Sequence, residues 1–257
     1  MPRRAREKSE SGIYHIILRG ANRQEIFHDD EDHMKFLETI FKYKCKAEAE
    51  VYGWCLMSNH VHFLLKEGEE ELSITMKRIG VSYAWYYNWK YNTTGHLFQD
   101  RYLSENINSE EYLLTAVRYI HQNPVKAGLV SNAANWNWSS YQGYLGKYIY
   151  PQGLLNKELV LGIFSKDPMA AITRFKIFNE EINNVKHLDD HVKRRLTDHE
   201  AKEEILKVIT SDEIIHMKSL AKQERDKLLG KIRRIEGLTQ RQAARILGIS
   251  PNLIFKS

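Results

Sequence analysis

Two apolar runs, Val51 to Met57 and His60 to Lys66, are separated only by Ser58 and Asn59. Each reads as a strand, and so short a connection joins them antiparallel, as a hairpin. The flanking segments show what accompanies it. Gly12 to Arg19 alternates around Ile13, Tyr14, Ile16 and Leu18 and predicts an earlier strand, followed by a polar turn from Gly20 to Gln24. Asp29 to Asp32 carries acidic helix-start signals, and Met34, Phe36, Leu37, Ile40 and Phe41 repeat at helical spacing to about Ala47. Leu72 to Asn92 is again helical, and Leu97 to Ile107 predicts a fourth strand around Phe98, Tyr102 and Leu103. A further helix opens at Ser109 and is expected to stop before Pro124, leaving Asn123 at its frayed end.

Strand, helix, hairpin, helix, strand, helix is the order of an α+β domain, an antiparallel sheet with packed helices. Its end is expected near residue 145. Gly146 to Gly153 holds glycines and a proline between longer periodic segments and reads as a linker. The expected division is therefore 1–145, a linker and helical segment over 146–217, and a basic helical module over 218–257. Residues 218–245 hold nine Lys or Arg against three Asp or Glu.

A chain of 257 residues accommodates one catalytic domain and a smaller module. Hydrophobic residues at 42% and charged residues at 28% exclude a disordered class. A formal net charge of +5 suits an anionic partner such as nucleic acid, although many unrelated chains share it. No apolar run approaches the roughly 18 residues of a membrane span, and the basic start lacks an apolar stretch behind it. No membrane partner is expected, and a cytoplasmic location is. Cys45 and Cys55 have neither zinc nor redox spacing and read as idle or buried thiols.

His60 and His62 lie two apart on a strand, so both side chains point to one face, and two neutral imidazoles so placed can grip one metal ion. Two solvent-facing histidines explain the spacing equally well. Tyr119 and Asn123 are four apart on one helix and share a face. Asn123 offers an amide oxygen to a metal and Tyr119 a hydroxyl to a phosphate. Core packing beside Val117 and Ile120 is the stronger reading of Tyr119 from burial tendencies alone, and helix capping serves equally for Asn123. Oxygen and imidazole ligands together suit Mg²⁺ or Mn²⁺.

Four ordered motifs add information beyond spacing: CLMSNHVHFLL at 55–65, GHLFQDRY at 95–102, RYIHQNPVKAGLV at 118–130 and WSSY at 138–141, preceded by YHIILRGANR at 14–23. Over about the first 145 residues the chain resembles the REP-associated tyrosine transposases, relatives of the small single-strand insertion-sequence transposases with an HUH motif. The resemblance implies a ferredoxin-like HUH catalytic fold, metal histidines at His60 and His62, a nucleophile at Tyr119 and a polar metal residue at Asn123. It also implies a divalent metal, Mg²⁺ or Mn²⁺, and a covalent 5′-phosphotyrosine link to single-stranded or hairpin DNA. Ser58 stands where proline is common in the family, and Asp100 where glycine is common.

Arg19, Asn22, Arg23, Arg78, Arg101 and Lys126 are candidate DNA contacts, with solvated surface charge as the default for the arginines. His121 points to another face than Tyr119 and reads as surface or structural. His15 and His96 could approach DNA, with a packing or solvent role as the default reading of each. Trp85, Tyr86, Tyr87 and Trp89 are read as core and shoulder rings before a stacking platform for bases. In the tail, Thr239 is an N-cap, Ala243, Ile246 and Leu247 form an apolar face, and Gly248 makes a turn, a pattern similar to helix-turn-helix DNA readers. Arg241, Asn252 and Lys256 would then reach DNA, with a helical hairpin that serves only packing as the alternative reading of this tail.

The expected function is a metal-dependent single-stranded DNA endonuclease and strand transferase of the transposase kind, acting on hairpins. The alternative is a domesticated regulator that binds DNA without cleaving it. A hydrolase of small phosphoesters leaves the basic tail without a purpose. A monomer is favoured, and a dimer remains open. The expected location is bacterial cytoplasm, at the nucleoid.

Overall fold

The computed structural model describes residues 7–181, 196, 198–217, 219–235, 237–250 and 253–254. The first unit runs in the order β1 (Ile13–Arg19), α1 (Asp30–Ala47), β2 (Glu50–Met57), β3 (His60–Lys66), α2 (Leu72–Lys90), β4 (Leu103–Ile107) and α3 (Glu110–Lys126). The sheet order is β2-β3-β1-β4, with every neighbouring pair antiparallel. This is the ferredoxin-like arrangement, and it places β1 in the interior of the sheet. The hairpin forms as expected, with Met57 opposite His60 across Ser58 and Asn59.

Both faces of the sheet are covered, which is why Ile13 to Leu18 are all buried. Tyr14, Ile16 and Leu18 pack with Phe36 and Ile40 of α1 and Ile79 and Tyr83 of α2. The other face packs Ile13, Leu64 and Ile107 against Leu113, Val117, Tyr119 and Ile120 of α3. The helices begin where local chemistry favours them. Asp29 caps α1 by accepting from the Asp32 N–H, and three acidic residues fill its positive first turn. Ser109 does the same for α3 through the Tyr112 N–H. On α2, Tyr86 and Tyr87 are buried while Trp85 and Trp89 are 71% and 70% exposed, so the aromatic cluster divides between core and surface.

Three expectations change. The fourth strand begins at Leu103, and Leu97 to Tyr102 meets the end of β1 only through an irregular segment in which Phe98 bridges Gly20. Helix α3 does not stop before Pro124 but runs through it to Lys126. Proline disfavours helix geometry in its predecessor, yet here Asn123 and Pro124 are both buried, and tertiary packing overrides the local preference. Asn123 is therefore an interior residue of the helix and not a frayed end.

The third change concerns residues after 145. The chain forms two compact units, 1–189 and 190–257. Leu154 is fully buried and Leu155 bridges Val51, so the stretch expected as a linker is packed where it ends. Short helices α4 (Tyr141–Tyr144), α5 (Glu158–Phe164) and α6 (Pro168–Glu180) follow. Val160 and Phe175 join the core beneath α3.

The second unit holds α7 (Asp198–Val208), α8 (Ser211–His216), α9 (Lys222–Ile232) and α10 (Gln240–Leu247). Ile205, Met217, Leu229, Ile232, Ala243 and Leu247 form its core. Thr239 caps α10 and Gly248, at φ 65°, ends it, as the sequence predicts. Cys45 is exposed, Cys55 is buried, and both are free. Among the described residues no helix is long and apolar enough to cross a membrane.

Candidate active site

The antiparallel register of β1 and β3 sets Arg19 opposite His60, Ile17 opposite His62 and His15 opposite Leu64. Alternation then puts His60, His62, His15 and Arg19 on the sheet face that α3 covers. His62 is fully buried and His60 half-buried. The His60 and His62 rings meet edge to face with centroids 5.0 Å apart.

Helix α3 brings Tyr119 onto this pair. Its ring lies edge-on to His62 at 5.6 Å and to His15 at 5.8 Å between centroids. Tyr119 is 2% exposed and packs with Val117 and Ile120 in one core cluster. Core packing and proximity to the histidines thus hold together for one residue. One turn on, Asn123 donates from Nδ2 to the Tyr119 carbonyl at 2.9 Å. Another turn brings Lys126, whose Nζ stands 4.7 Å from the Tyr119 ring centroid. The structure therefore gathers His60, His62, Tyr119 and Lys126, with Asn123 in the helical turn between the last two.

Each imidazole has its Nδ1 engaged. His60 Nδ1 lies 2.6 Å from Asn59 Oδ1 in the hairpin turn. His62 Nδ1 lies 3.0 Å from His15 Nε2, and the two rings stack at 5.3 Å. His15 Nδ1 in turn lies 3.3 Å from Glu105 Oε2 on β4. The Glu105 carboxylate also accepts from Tyr112, whose phenol is pushed up by burial and then by this neighbour. Glu105 is a site residue that the sequence did not single out, and His15, read there as a packing or solvent residue, joins it at the site. The available signal was an imidazole inside an otherwise apolar strand, because a buried polar side chain needs partners.

The other candidates scatter. Asn22 and Arg23 lie exposed in a tight turn at positive φ, which Asn59 Nδ2 ties to the hairpin through the Arg23 carbonyl. Arg78 lies on α2, which covers the opposite face of the sheet, and pairs with Glu70 at 2.6 Å. Arg101 lines a groove of about 730 Å³ with α2 residues such as Met76 and Val81, and His96 lines it too. Arg241 is exposed in the first turn of α10. Asn252 and Lys256 lie outside the described residues.

His121 is not a surface residue. It is fully buried, with Nε2 2.8 Å from Ser140 Oγ and Nδ1 3.2 Å from Asn179 Oδ1. Burial lowers its pKa to about 4, with the Asn179 bond opposing. Ser140 Oγ also accepts from the Trp54 N–H, so this histidine pins the WSSY segment to β2 and α3.

The family model that matches is transposase IS200 like, over residues 8–123. A REP-associated tyrosine transposase of Escherichia coli strain K12 is 25% identical over 114 residues, which span 44% of this chain and 66%, under two thirds, of that protein. A putative REP-associated tyrosine transposase of Haemophilus influenzae is 22% identical over 162 residues, 57% of this chain and 89% of its own length. A solved REP-associated tyrosine transposase bound to a REP hairpin aligns with TM-score 0.49 and 22% identity, covering 59% of this chain and 89% of that one. Residues 8–123 match the IS200-like transposase family model, and the chain is similar to the REP-associated tyrosine transposases.

Proposed function

We propose that the protein is a metal-dependent endonuclease and strand transferase for single-stranded, hairpin-forming DNA, with Tyr119 as nucleophile. The observation that carries this reading is the edge-on approach of Tyr119 to His62 at 5.6 Å. Packing could have buried that phenol elsewhere in the core. The relatives' descriptions as tyrosine transposases support it.

The donor set fits a divalent cation. Nδ1 of each histidine is engaged, so Nε2 is the ligating nitrogen. Asn123 commits its amide nitrogen to the Tyr119 carbonyl, which leaves its oxygen as the ligating end. The third protein ligand in this reading is the neutral amide of Asn123. Two imidazoles and an amide oxygen suit Mn²⁺ or Mg²⁺. When bound, such an ion neutralises charge on a scissile phosphate and fixes its orientation.

The chain's own residues do the rest. A phenol has an ordinary pKa of about 10 and attacks at neutral pH only with help from a neighbouring positive charge. Lys126 supplies a cation beside Tyr119 and a partner for phosphate oxygens. In the transfer, a bond forms between the Tyr119 oxygen and phosphorus while the bond to the 3′ oxygen breaks. The phenol loses one proton and the released 3′ oxygen gains one. The phosphodiester energy stays in the tyrosyl link, so a second 3′ hydroxyl rejoins strands without ATP. Because Tyr119 is 2% exposed, DNA reaches it only as the side chains over it yield. Arg19, Asn22 and Arg23 line the approach beside His60, and the second unit, with Arg241, contributes a further DNA contact of helix-turn-helix type.

The test pairs wild type with Tyr119→Phe on labelled DNA hairpins with Mn²⁺ or Mg²⁺. Wild type should form a covalent adduct on denaturing gels that a chelator abolishes. Tyr119→Phe should bind the hairpins and form none. Adduct from the variant overturns the nucleophile, and no metal-dependent nicking by wild type across a hairpin panel replaces this reading with a DNA-binding regulator.

A further inference from the structure

His15 is fully buried at the centre of the sheet, so both its ring nitrogens need partners. It has them on two different strands: Glu105 Oε2 at 3.3 Å on β4, and His62 Nδ1 at 3.0 Å on β3. The strand register imposes this. His15 is the direct cross-strand partner of Glu105, and His62 is paired with Ile17, the next residue of β1 on the same face.

With Glu105 ionised and both imidazoles neutral, the three groups allow one arrangement of protons. An ionised carboxylate only accepts, so His15 Nδ1 carries the proton it donates to Glu105. Neutral His15 then has a lone pair on Nε2. The neighbouring His62 Nδ1, facing that lone pair, must be the N–H donor, and neutral His62 is left with its lone pair on Nε2. Tyr112 gives Glu105 a second donor, which holds the start of the chain in place. A partner of this kind on a ligating histidine orients the ring and sets its tautomer.

We propose that Glu105 and His15 are positioning residues, a relay across β4, β1 and β3 that locks His62 in the Nδ1–H tautomer and presents its Nε2 to the divalent cation. The inference rests on the reading of His62 as a metal ligand, and it assigns a function to two residues that otherwise appear only as a buried histidine and its partly exposed carboxylate partner.

The test uses the full chain. In metal-free, isotope-labelled protein, proton–nitrogen correlation spectra should show His62 protonated at Nδ1. His15→Gln places a carbonyl oxygen near the position of Nε2 and should keep that tautomer. His15→Phe removes the acceptor and should shift His62 towards the Nε2–H form. In Mn²⁺ titrations followed by electron paramagnetic resonance, His15→Phe and Glu105→Ala should each weaken binding about 10- to 100-fold, with His15→Gln within a few-fold of wild type. The double variant His15→Phe with Glu105→Ala should be no weaker than His15→Phe alone, as members of one chain behave. Thermal melts check folding, and if His15→Phe does not fold, the partly exposed Glu105→Ala carries the comparison. Wild-type His62 protonated at Nε2, or His15→Gln as damaging as His15→Phe, overturns the relay. Wild type that binds no Mn²⁺ defeats the metal reading instead, and the tautomer of His62 then decides the relay by itself.

Discussion

Asn123 folds its amide back along the helix that bears it, and Nδ2 reaches the Tyr119 carbonyl at 2.9 Å. Pro124 follows immediately and has no N–H to give the Ile120 carbonyl, so the helix end at this point relies on side-chain donors and on packing. The same bond fixes which end of the amide is left to serve a cation.

Substitutions at Asn123 separate those two roles. Asn123→Ala should lower stability by about 1 kcal/mol in urea unfolding, the worth of an ordinary hydrogen bond. It should also weaken Mn²⁺ binding by at least tenfold, a loss in the range of a removed site group. Asn123→Asp cannot donate to the carbonyl but offers oxygen ligands, so it should lose the stability and keep the metal. Full Mn²⁺ binding by the alanine variant removes Asn123 from the ligand set.

His121 gives the protein an acid-sensitive core. Its folded pKa of about 4 lies below the ordinary 6.5, so the unfolded chain takes up a proton first. Its contribution is complete above pH 6.5 and is lost as pH falls towards about 4, with a slope of up to about 1.4 kcal/mol per pH unit. Denaturant unfolding across that window should show a steeper decline for wild type than for His121→Gln. Parallel curves would remove His121 as the cause.

Lys90 neutralises a buried carboxylate. Asp32 has no side-chain exposure and sits 2.9 Å from Lys90 Nζ. Burial raises the Asp32 carboxyl, but bonds from the His28 N–H, Tyr91 and Lys90 outweigh it and hold the pKa below its ordinary value. Lys90→Met should cost about 3 kcal/mol by stranding that charge. Adding Asp32→Asn should restore much of the loss, read as the midpoint of thermal unfolding. A double variant no more stable than Lys90→Met would mean that the charge is not what matters.

Two glycines make opposite predictions. A Cβ on Gly20 would fall 2.1 Å from the Gln24 carbonyl oxygen, a backbone atom that cannot rotate aside, whereas one on Gly53 would meet Ser140 Oγ at 3.5 Å. Gly20→Ala should cost about 1–3 kcal/mol and weaken hairpin binding, because it deforms the turn carrying Asn22 and Arg23. Gly53→Ala should be close to neutral in melting temperature. Equal melting temperatures for the two variants would show that the Gly20 turn relaxes freely.

Much of the molecule is written in short stretches of sequence. Hydrophobic periodicity and two intervening residues define the β2–β3 hairpin, Asp29 and Ser109 start their helices, and Thr239 and Gly248 bound α10, because caps, turns and alternation are interactions within a few residues. Tyr119, Asn123, His60 and His62 could be named as candidates for the same reason, each pair sharing one element and one face. Whether the two pairs meet was not local. The approach of Tyr119 to His62 depends on α3 packing across the sheet. Burial then carries α3 through Pro124, against a local preference that predicts a stop. Arg78 and Arg101, matched to the site only by charge, fall away from it because α2 covers the other face. The chain from Glu105 through His15 to His62 joins residues 90 and 47 positions apart, and only the register of three strands could reveal it. Sequence determined which groups were on offer; the antiparallel register and the helix packing decided which of them converge, because cross-strand contact depends on long-range burial and not on neighbours along the chain.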